Sequence, residues 1–443
     1  MFQYGQLDKN NRWVKLANEI PWGKIEELYA KKFVNNGFPA KNVRIALGSL
    51  IIKQTLNCSD VETVNQVKEN PYLQYFIGLK EYTSKAPFGA STLVDYRKRF
   101  SEDNILATIN DMVIDDEEKG NDDKPNNGAI AIDATCAPAD ITFPQDLNLV
   151  NKAREKTEQL IDTLQIGSGE LKPRTYRQKA RKDFLNVSKS KKKTIKMLRK
   201  AIRKQLGYIS RNFKYIDTMI ASGSKLSKKE TTVLAVLIEL YEQQKFMHDN
   251  KKHSVPDSIV SICQPYIRPI PRGKAKAKTE FGAKVEISIV NGYARIETLN
   301  FNAYNEGGNL IRIIEKYRER YSCYPKRVLV DKLYRNRTNL NYCNERNIHI
   351  TGPALGRPKK DRRVDKKQEY IDICDRNCVE GKFGEGKTAY GLDRIAARLK
   401  NTSECVIGII FLVMNLNKRL RSLLCQFLNW VLGRYFWNKN ITA

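Results

Sequence analysis

Three carboxylates, widely separated along the chain, have the residue types and settings for metal-assisted phosphate chemistry. Asp133 lies in "GAIAIDATCA", Asp331 closes "RVLVD", and Glu380 falls within "DRNCVEGKFGEGK". Oxygen ligands of this kind suit hard divalent cations, and two such ions neutralise the charge that develops when a phosphoryl group is transferred. On a helix advancing 100° per residue, Arg376 four residues before Glu380 and Lys387 seven after it share its face, whereas Glu385 turns away. That face offers a metal-binding carboxylate flanked by cations for phosphate. Gly381, Gly384 and Gly386 interrupt the same helix, each at roughly 1 kcal/mol relative to alanine, a cost explained if DNA or a sheet approaches the backbone. Taken singly, such a helix could equally be a charged surface element, and an aspartate at a strand end could be a turn residue; the conjunction carries the argument.

Asp133 and Asp331 can act together only if their strands lie side by side. "GAIAIDATCA" reads as a buried strand. Asn291-Gly292 between the alternating segments "AKVEISIV" and "YARIETL" is a hairpin signal. An amphipathic helix in "NEGGNLIRIIEKYRERY", the strand "RVLVD", a helix in "NRTNLNYCNERN", the strand "IHITGP" and the helix bearing Glu380 follow. Strand, insertion, two strands, helix, strand, helix, strand, helix is the order of a ribonuclease H-like α/β fold, in which the first and fourth strands are central neighbours.

The remaining segments frame that core. Residues 1–114 form an all-helical N-terminal domain. It includes "AKNVRIALGSLIIKQTLN", a capping box at Ser59–Glu62, a helix end at Asn70-Pro71, and a short helix capped by Ser91 that carries Arg97 and Arg99 as candidate DNA contacts. Those charges could equally be a solvated face. Residues 115–127 are an acidic linker, 128–150 open the core, and 151–278 are a basic helical insertion ending in an extended connector from Pro265 to Lys278. Within "KSKKKTIKMLRKAIRK", Lys191, Lys192 and Lys193 are candidate phosphate contacts. Residues 279–403 complete the core, and 404–443 are a C-terminal helical segment.

Lys and Arg outnumber Asp and Glu by 78 to 49 in 443 residues, a formal charge of +29 that calls for a polyanionic partner, foremost nucleic acid. No membrane role is expected: "MFQYGQLDKNNRW" lacks the apolar stretch of a signal peptide, and the apolar run Cys405–Met414 is too short to span a bilayer and reads as a core helix. Nine scattered cysteines with only three histidines fit reduced thiols better than a zinc site. Cys136 has no nearby histidine to make it a nucleophile.

The spacing of Arg376, Glu380 and Lys387 resembles the Tyr-x2-Arg-x3-Glu-x6-Lys signature of the DDE transposases of bacterial insertion sequences, with Ile373 in the place of the tyrosine. "NPYLQYFIGLKEYTSKAPFGASTLVDYRKRF" is similar to the helical domain preceding the core in one branch of these enzymes, and "AIDATCAPADITFPQDLNLVNKARE" to its first-aspartate block. The resemblance covers most of residues 15–420 and is weakest through the basic insertion. It implies metal-dependent cleavage of double-stranded DNA at terminal inverted repeats, followed by strand transfer into target DNA. It further implies two Mg²⁺ or Mn²⁺ ions held by Asp133, Asp331 and Glu380, a homodimer or higher assembly on DNA, and a cytoplasmic, nucleoid-associated setting. Two other readings remain at this point: a nuclease of the same fold without strand transfer, and a non-catalytic DNA-binding transposase remnant.

Overall fold

The computed structural model describes residues 7–30, 42–102, 104–114, 125–166, 172–271, 279–352 and 366–441, with side chains from 423 onward and at 366 and 369 excluded. Most of the expected acidic linker (115–124) and the end of the connector (272–278) lie outside the described residues. The chain is mixed α/β and divides into two compact units. One comprises Met1–Pro138, Ala283–Asn300 and Tyr304–Ala443; the other comprises Ala139–Gly282 and Phe301–Ala303.

The first unit opens with helices α1 (Arg12–Glu19), α2 (Trp22–Ala30), α3 (Val43–Leu56), α4 (Asp60–Glu69), α5 (Pro71–Phe76), α6 (Thr92–Phe100) and α7 (Ile105–Ile114). Local chemistry sets their ends. Asn42 accepts a bond from the Arg44 N–H at the start of α3, and Asn70 both closes α4 and caps α5, whose first residue is Pro71. The expected capping box is half formed: Ser59 Oγ accepts from the Glu62 N–H at 3.1 Å, but the Glu62 carboxylate accepts instead from Gln66. Ser91 stands at the N-cap of α6 without a side-chain capping bond, a departure from the expectation, because its backbone is already helical (φ −63°, ψ −30°).

Strand β1 (Ala129–Pro138) leads to the second unit, whose helices are α8 (Asp146–Gln165), α9 (Arg177–Ser188), α10 (Ile195–Ala221) and α11 (Lys228–Asp249). The apolar faces of α8, α10 and α11 meet in a core that includes Val150, Ile161, Ile209, Ile216, Leu237 and Leu240. The connector holds a short strand, β2 (Arg268–Pro271), antiparallel to the first residues of β3 (Thr279–Val290), so part of what reads as an extended linker is in a sheet.

From Ala283 onward β3 belongs to the first unit and turns into β4 (Tyr293–Asn300) through Asn291 and Gly292, both at positive φ (51° and 77°), as a two-residue hairpin loop requires. Then follow α12 (Leu310–Tyr321), β5 (Arg327–Leu329), α13 (Arg337–Glu345), β6 (His349–Ile350), α14 (Lys366–Ala389) and α15 (Lys400–Ile441). In the sheet β3 neighbours β1, β1 neighbours β5 and β5 neighbours β6, with β4 paired to β3. The β1–β5 and β5–β6 pairs are parallel. Cys405, Ile409, Leu412, Val413 and Leu416 of α15 share one hydrophobic core with α1 to α7. A buried amide pair, Asn415 and Asn110, binds the Ala294 carbonyl and ties α15 and α7 to β4.

Candidate active site

The parallel register of β1 and β5 runs from Ala129–Arg327 to Ala131–Leu329, each strand's pairing ending two residues before its aspartate, and the charge of Asp331 acts on Asp133. Asp133 is within β1, whereas Asp331 lies just past β5 and caps a 3-10 turn, Lys332–Tyr334. Each aspartate accepts a bond at Oδ1 from the next backbone N–H, Ala134 at 2.7 Å and Lys332 at 2.6 Å, which restrains the carboxylate's rotation. Burial pushes the Asp133 carboxyl above the usual carboxylate range, and the negative charges of Glu306 and Asp331 add to the shift, against the Ala134 N–H and Arg376. An anion in that position is short of positive charge.

Helix α14 packs against β1 and β5. Near its start, Arg327 of β5 pairs with Asp372 at 2.9 Å and Asp375 at 2.8 Å, and His349 of β6 meets the buried Asp372 at 3.0 Å. Val379 and Phe383 are buried one turn apart. This anchoring brings the Arg376 guanidinium to 3.8 Å from Asp331 and 4.0 Å from Glu380, and Lys387 Nζ donates to Thr135 Oγ1 on β1 at 3.1 Å, two residues beyond Asp133. Glu380 stands on the exposed flank, its side chain 67% accessible. Glu385 turns instead toward α15, pairing with the buried Lys382 at 3.2 Å and with Arg421 at 2.8 Å. Burial opposes ionisation of Glu385, yet these two cations hold its carboxyl below the ordinary range. Ile373, in the signature tyrosine's place, is 57% exposed.

One expectation needs correction. Arg97 is 7% exposed and bound in bidentate fashion by Asp60 at 3.0 and 2.6 Å, so its guanidinium serves to join α6 to α4 and is not presented to phosphate. Arg99, partly buried, reaches the Tyr29 hydroxyl at 3.3 Å. Of the glycines in α14, only Gly386 is closely packed, and against Leu392 and Met414 of its own C-terminal region; a Cβ at Gly381 or Gly384 would meet open space. Lys191, Lys192 and Lys193 are exposed in the loop before α10.

The donor set of Asp133, Asp331 and Glu380 is all oxygen and so fits a hard divalent cation. The high-lying Asp133 carboxyl beside Asp331 and Glu306 is the charge deficit that such a cation would relieve. As placed, the three side chains do not form a ready-made cluster: among the described residues no three His, Cys, Asp or Glu side chains are grouped closely enough to hold a metal ion. Arg376, poised loosely between Asp331 and Glu380, is the side chain that would have to yield.

A family model described as "Transposase DDE domain" matches residues 328–417, the span holding Asp331 and all of α14, and one described as "Transposase domain (DUF772)" matches residues 2–99. A Rhizobium meliloti protein named as uncharacterized, ORF8 of the nfe locus, is 31% identical over 140 residues, covering 32% of this chain and 68% of its own length. This chain belongs to the DDE transposases. No solved structure matches it.

In the transposase, sequence reading passes over two buried acids, one of which, Glu306, acts electrostatically on Asp133. Glu306 sits in a 3-10 turn, Glu306–Gly308, buried and paired with Lys284 at 3.1 Å. Glu286 is on β3, 0% exposed. One signal for Glu286 was present: "KVEISIV" has apolar residues on one face of a strand, with a carboxylate among small and polar ones on the other. A central strand buried on both faces makes that carboxylate conspicuous.

Proposed function

We propose that this transposase cleaves double-stranded DNA at the terminal inverted repeats of its element and transfers the freed strand into target DNA. Asp133 and Asp331 are the residues that would hold Mg²⁺ or Mn²⁺, two ions in all, with Glu380 completing the set. The observation that carries this reading is the parallel pairing of β1 with β5, which ends two residues before Asp133 on one strand and before Asp331 on the other, with α14 laid against the same two strands. When bound, such ions supply activation of the attacking hydroxyl and neutralisation of charge at phosphorus. Asp133, held in mid-strand, provides the rigid part of the site, and Asp331, at the mouth of the sheet, the accessible part. Arg376 and Lys387 border the pair with positive charge and orient phosphate oxygens, and Lys191, Lys192 and Lys193 contact DNA phosphates. The order β4, β3, β1, β5, β6 supports a ribonuclease H-like core, with the second unit's helices as its insertion. Among the described residues no helix is long and apolar enough to cross a membrane. Action on double-stranded DNA would take place in the cytoplasm, at the nucleoid. Joining two ends calls for two copies of the chain.

Labelled repeat DNA incubated with the protein and Mg²⁺ tests this directly. Nicked and joined products that vanish with Asp133→Ala are expected. Cleavage without joined product would identify a nuclease, and binding without cleavage a DNA-binding remnant.

A further inference from the structure

We propose that Glu286 is a positioning residue for the metal-binding aspartates, acting through Tyr334 and Asn309; the inference rests on the reading of Asp133 and Asp331 given above. Both carboxylate oxygens of Glu286 accept bonds from protein side chains. Oε1 accepts from the Tyr334 hydroxyl at 2.8 Å, and Oε2 accepts from Asn309 Nδ2 at 2.7 Å. Tyr334, itself fully buried, ends the 3-10 turn that Asp331 begins, and its N–H donates to the Asp331 carbonyl at 3.1 Å. Asn309 follows the other 3-10 turn, the one bearing Glu306, whose charge acts on Asp133. A single carboxylate therefore bonds the residue that closes the Asp331 turn and the residue that follows the Glu306 turn.

The two turns are also locked to each other. The Gly307 carbonyl accepts from Asn339 Nδ2 at 2.7 Å and Asn336 Nδ2 at 3.2 Å, and Asn339 Nδ2 also donates to the Tyr334 carbonyl at 2.7 Å. A Cβ at Gly307 would collide with the Leu333 carbonyl, so only glycine lets the turns approach this closely. The register between β3 and β4 shifts between Glu286 and Ile287, where Glu297 of β4 is the residue without a partner on β3. Burying a carboxylate here is expensive in folding terms, and apolar side chains of similar volume would generally fill such a space at less cost. Fixing the direction of Asp331 relative to Asp133 is a use that apolar packing cannot serve, since groups that orient metal ligands act through directional hydrogen bonds.

The experiment uses the full-length protein carrying Glu286→Gln, Tyr334→Phe or both. Mn²⁺ binding is read by electron paramagnetic resonance in the presence of repeat DNA, cleavage is titrated against Mn²⁺ at saturating DNA, and DNA affinity and thermal midpoint are recorded alongside. Each single variant should weaken Mn²⁺ binding roughly 10- to 100-fold, as removal of a ligand-orienting partner does, with DNA affinity unchanged and cleavage largely recovered at high Mn²⁺. Glu286→Gln keeps an oxygen that can accept from Tyr334 but turns a donor toward Asn309, while Tyr334→Phe removes the other bond. The double variant should therefore be worse than either single one, yet by less than the product of the two effects, because both act on one carboxylate. Tyr334→Phe keeps the aromatic packing, so it remains informative if Glu286→Gln folds poorly. Variants that lower the thermal midpoint but leave the Mn²⁺ titration unmoved would overturn the proposal and leave the network a purely structural one. A wild-type protein that shows no metal-dependent cleavage would instead refute the function proposed above.

Discussion

At the scale of single residues, the division of labour among the carboxylates is open to a direct comparison. Asp133→Ala and Asp331→Ala should each reduce Mg²⁺-dependent cleavage to background while DNA binding, measured by mobility shift, is kept or slightly strengthened, because each change removes negative charge facing phosphate. Glu380→Gln should also abolish cleavage, since an amide is a poor ligand for a hard cation. Glu385→Gln should behave differently. Its carboxylate neutralises Lys382, only 8% exposed, together with Arg421, so its removal leaves a buried cation short of a partner at a cost of roughly 1–3 kcal/mol in stability. Urea unfolding and end cleavage measured on the same two preparations separate the cases: an inactive but stable Glu380 variant, and an active but less stable Glu385 variant.

At the scale of elements, the bond between α4 and α6 has a distinct pH signature. Burial opposes the ionisation of Asp60, yet Arg97 and Lys53 hold its carboxyl below the ordinary value of 3.8. A carboxylate whose pKa is lower in the folded than in the unfolded state adds stability that is fully present above the unfolded value and disappears as pH falls through the folded one. Asp60→Asn should therefore cost roughly 2–4 kcal/mol at pH 7, where it strands the nearly buried Arg97. The difference from wild type should shrink to little once pH falls well below 3.8. Thermal unfolding at several pH values checks both. Because Arg97 is spent on this bond, Arg97→Gln should weaken the helical region without altering the salt dependence of DNA binding.

For the molecule as a whole, a charge of +29 makes DNA affinity steeply dependent on salt. Replacing Lys191, Lys192 and Lys193 together with glutamine should flatten the plot of log affinity against log salt by about 0.9 for each of these lysines that neutralises a phosphate, on repeat and non-repeat DNA alike. The loop before α10 carries these three lysines in the open, so the protein should fold as before. An unchanged slope would reassign them to a solvated face. Other cations of the second unit are already engaged, as Lys204 is with Asp183 at 2.7 Å and Arg177 with Asp162 at 2.6 Å, so a dense run of basic residues does not translate one for one into DNA binding.

Features governed by neighbours along the chain could be read from the sequence. Asn291-Gly292 specifies its hairpin because few other residue pairs tolerate two successive positive φ angles. Periodicity marked the helices, and the order of strands anticipated that the strand bearing Asp133 lies beside the one that leads to Asp331. The apolar run Cys405–Met414 was too short for a membrane and so had to be core. Which core it joined, that of α1 to α7, was a tertiary matter. So was the fate of Arg97, a surface residue by type, buried because Asp60, 37 positions away, meets it. Glu286 and Glu306 gained their setting from Tyr334, Asn309 and Lys284, which no spacing rule connects to them. Turns and helical faces follow from steric limits that act over a few residues. The protonation of a carboxylate and the exposure of a cation follow from what the fold packs against them, and that is decided between segments remote in sequence.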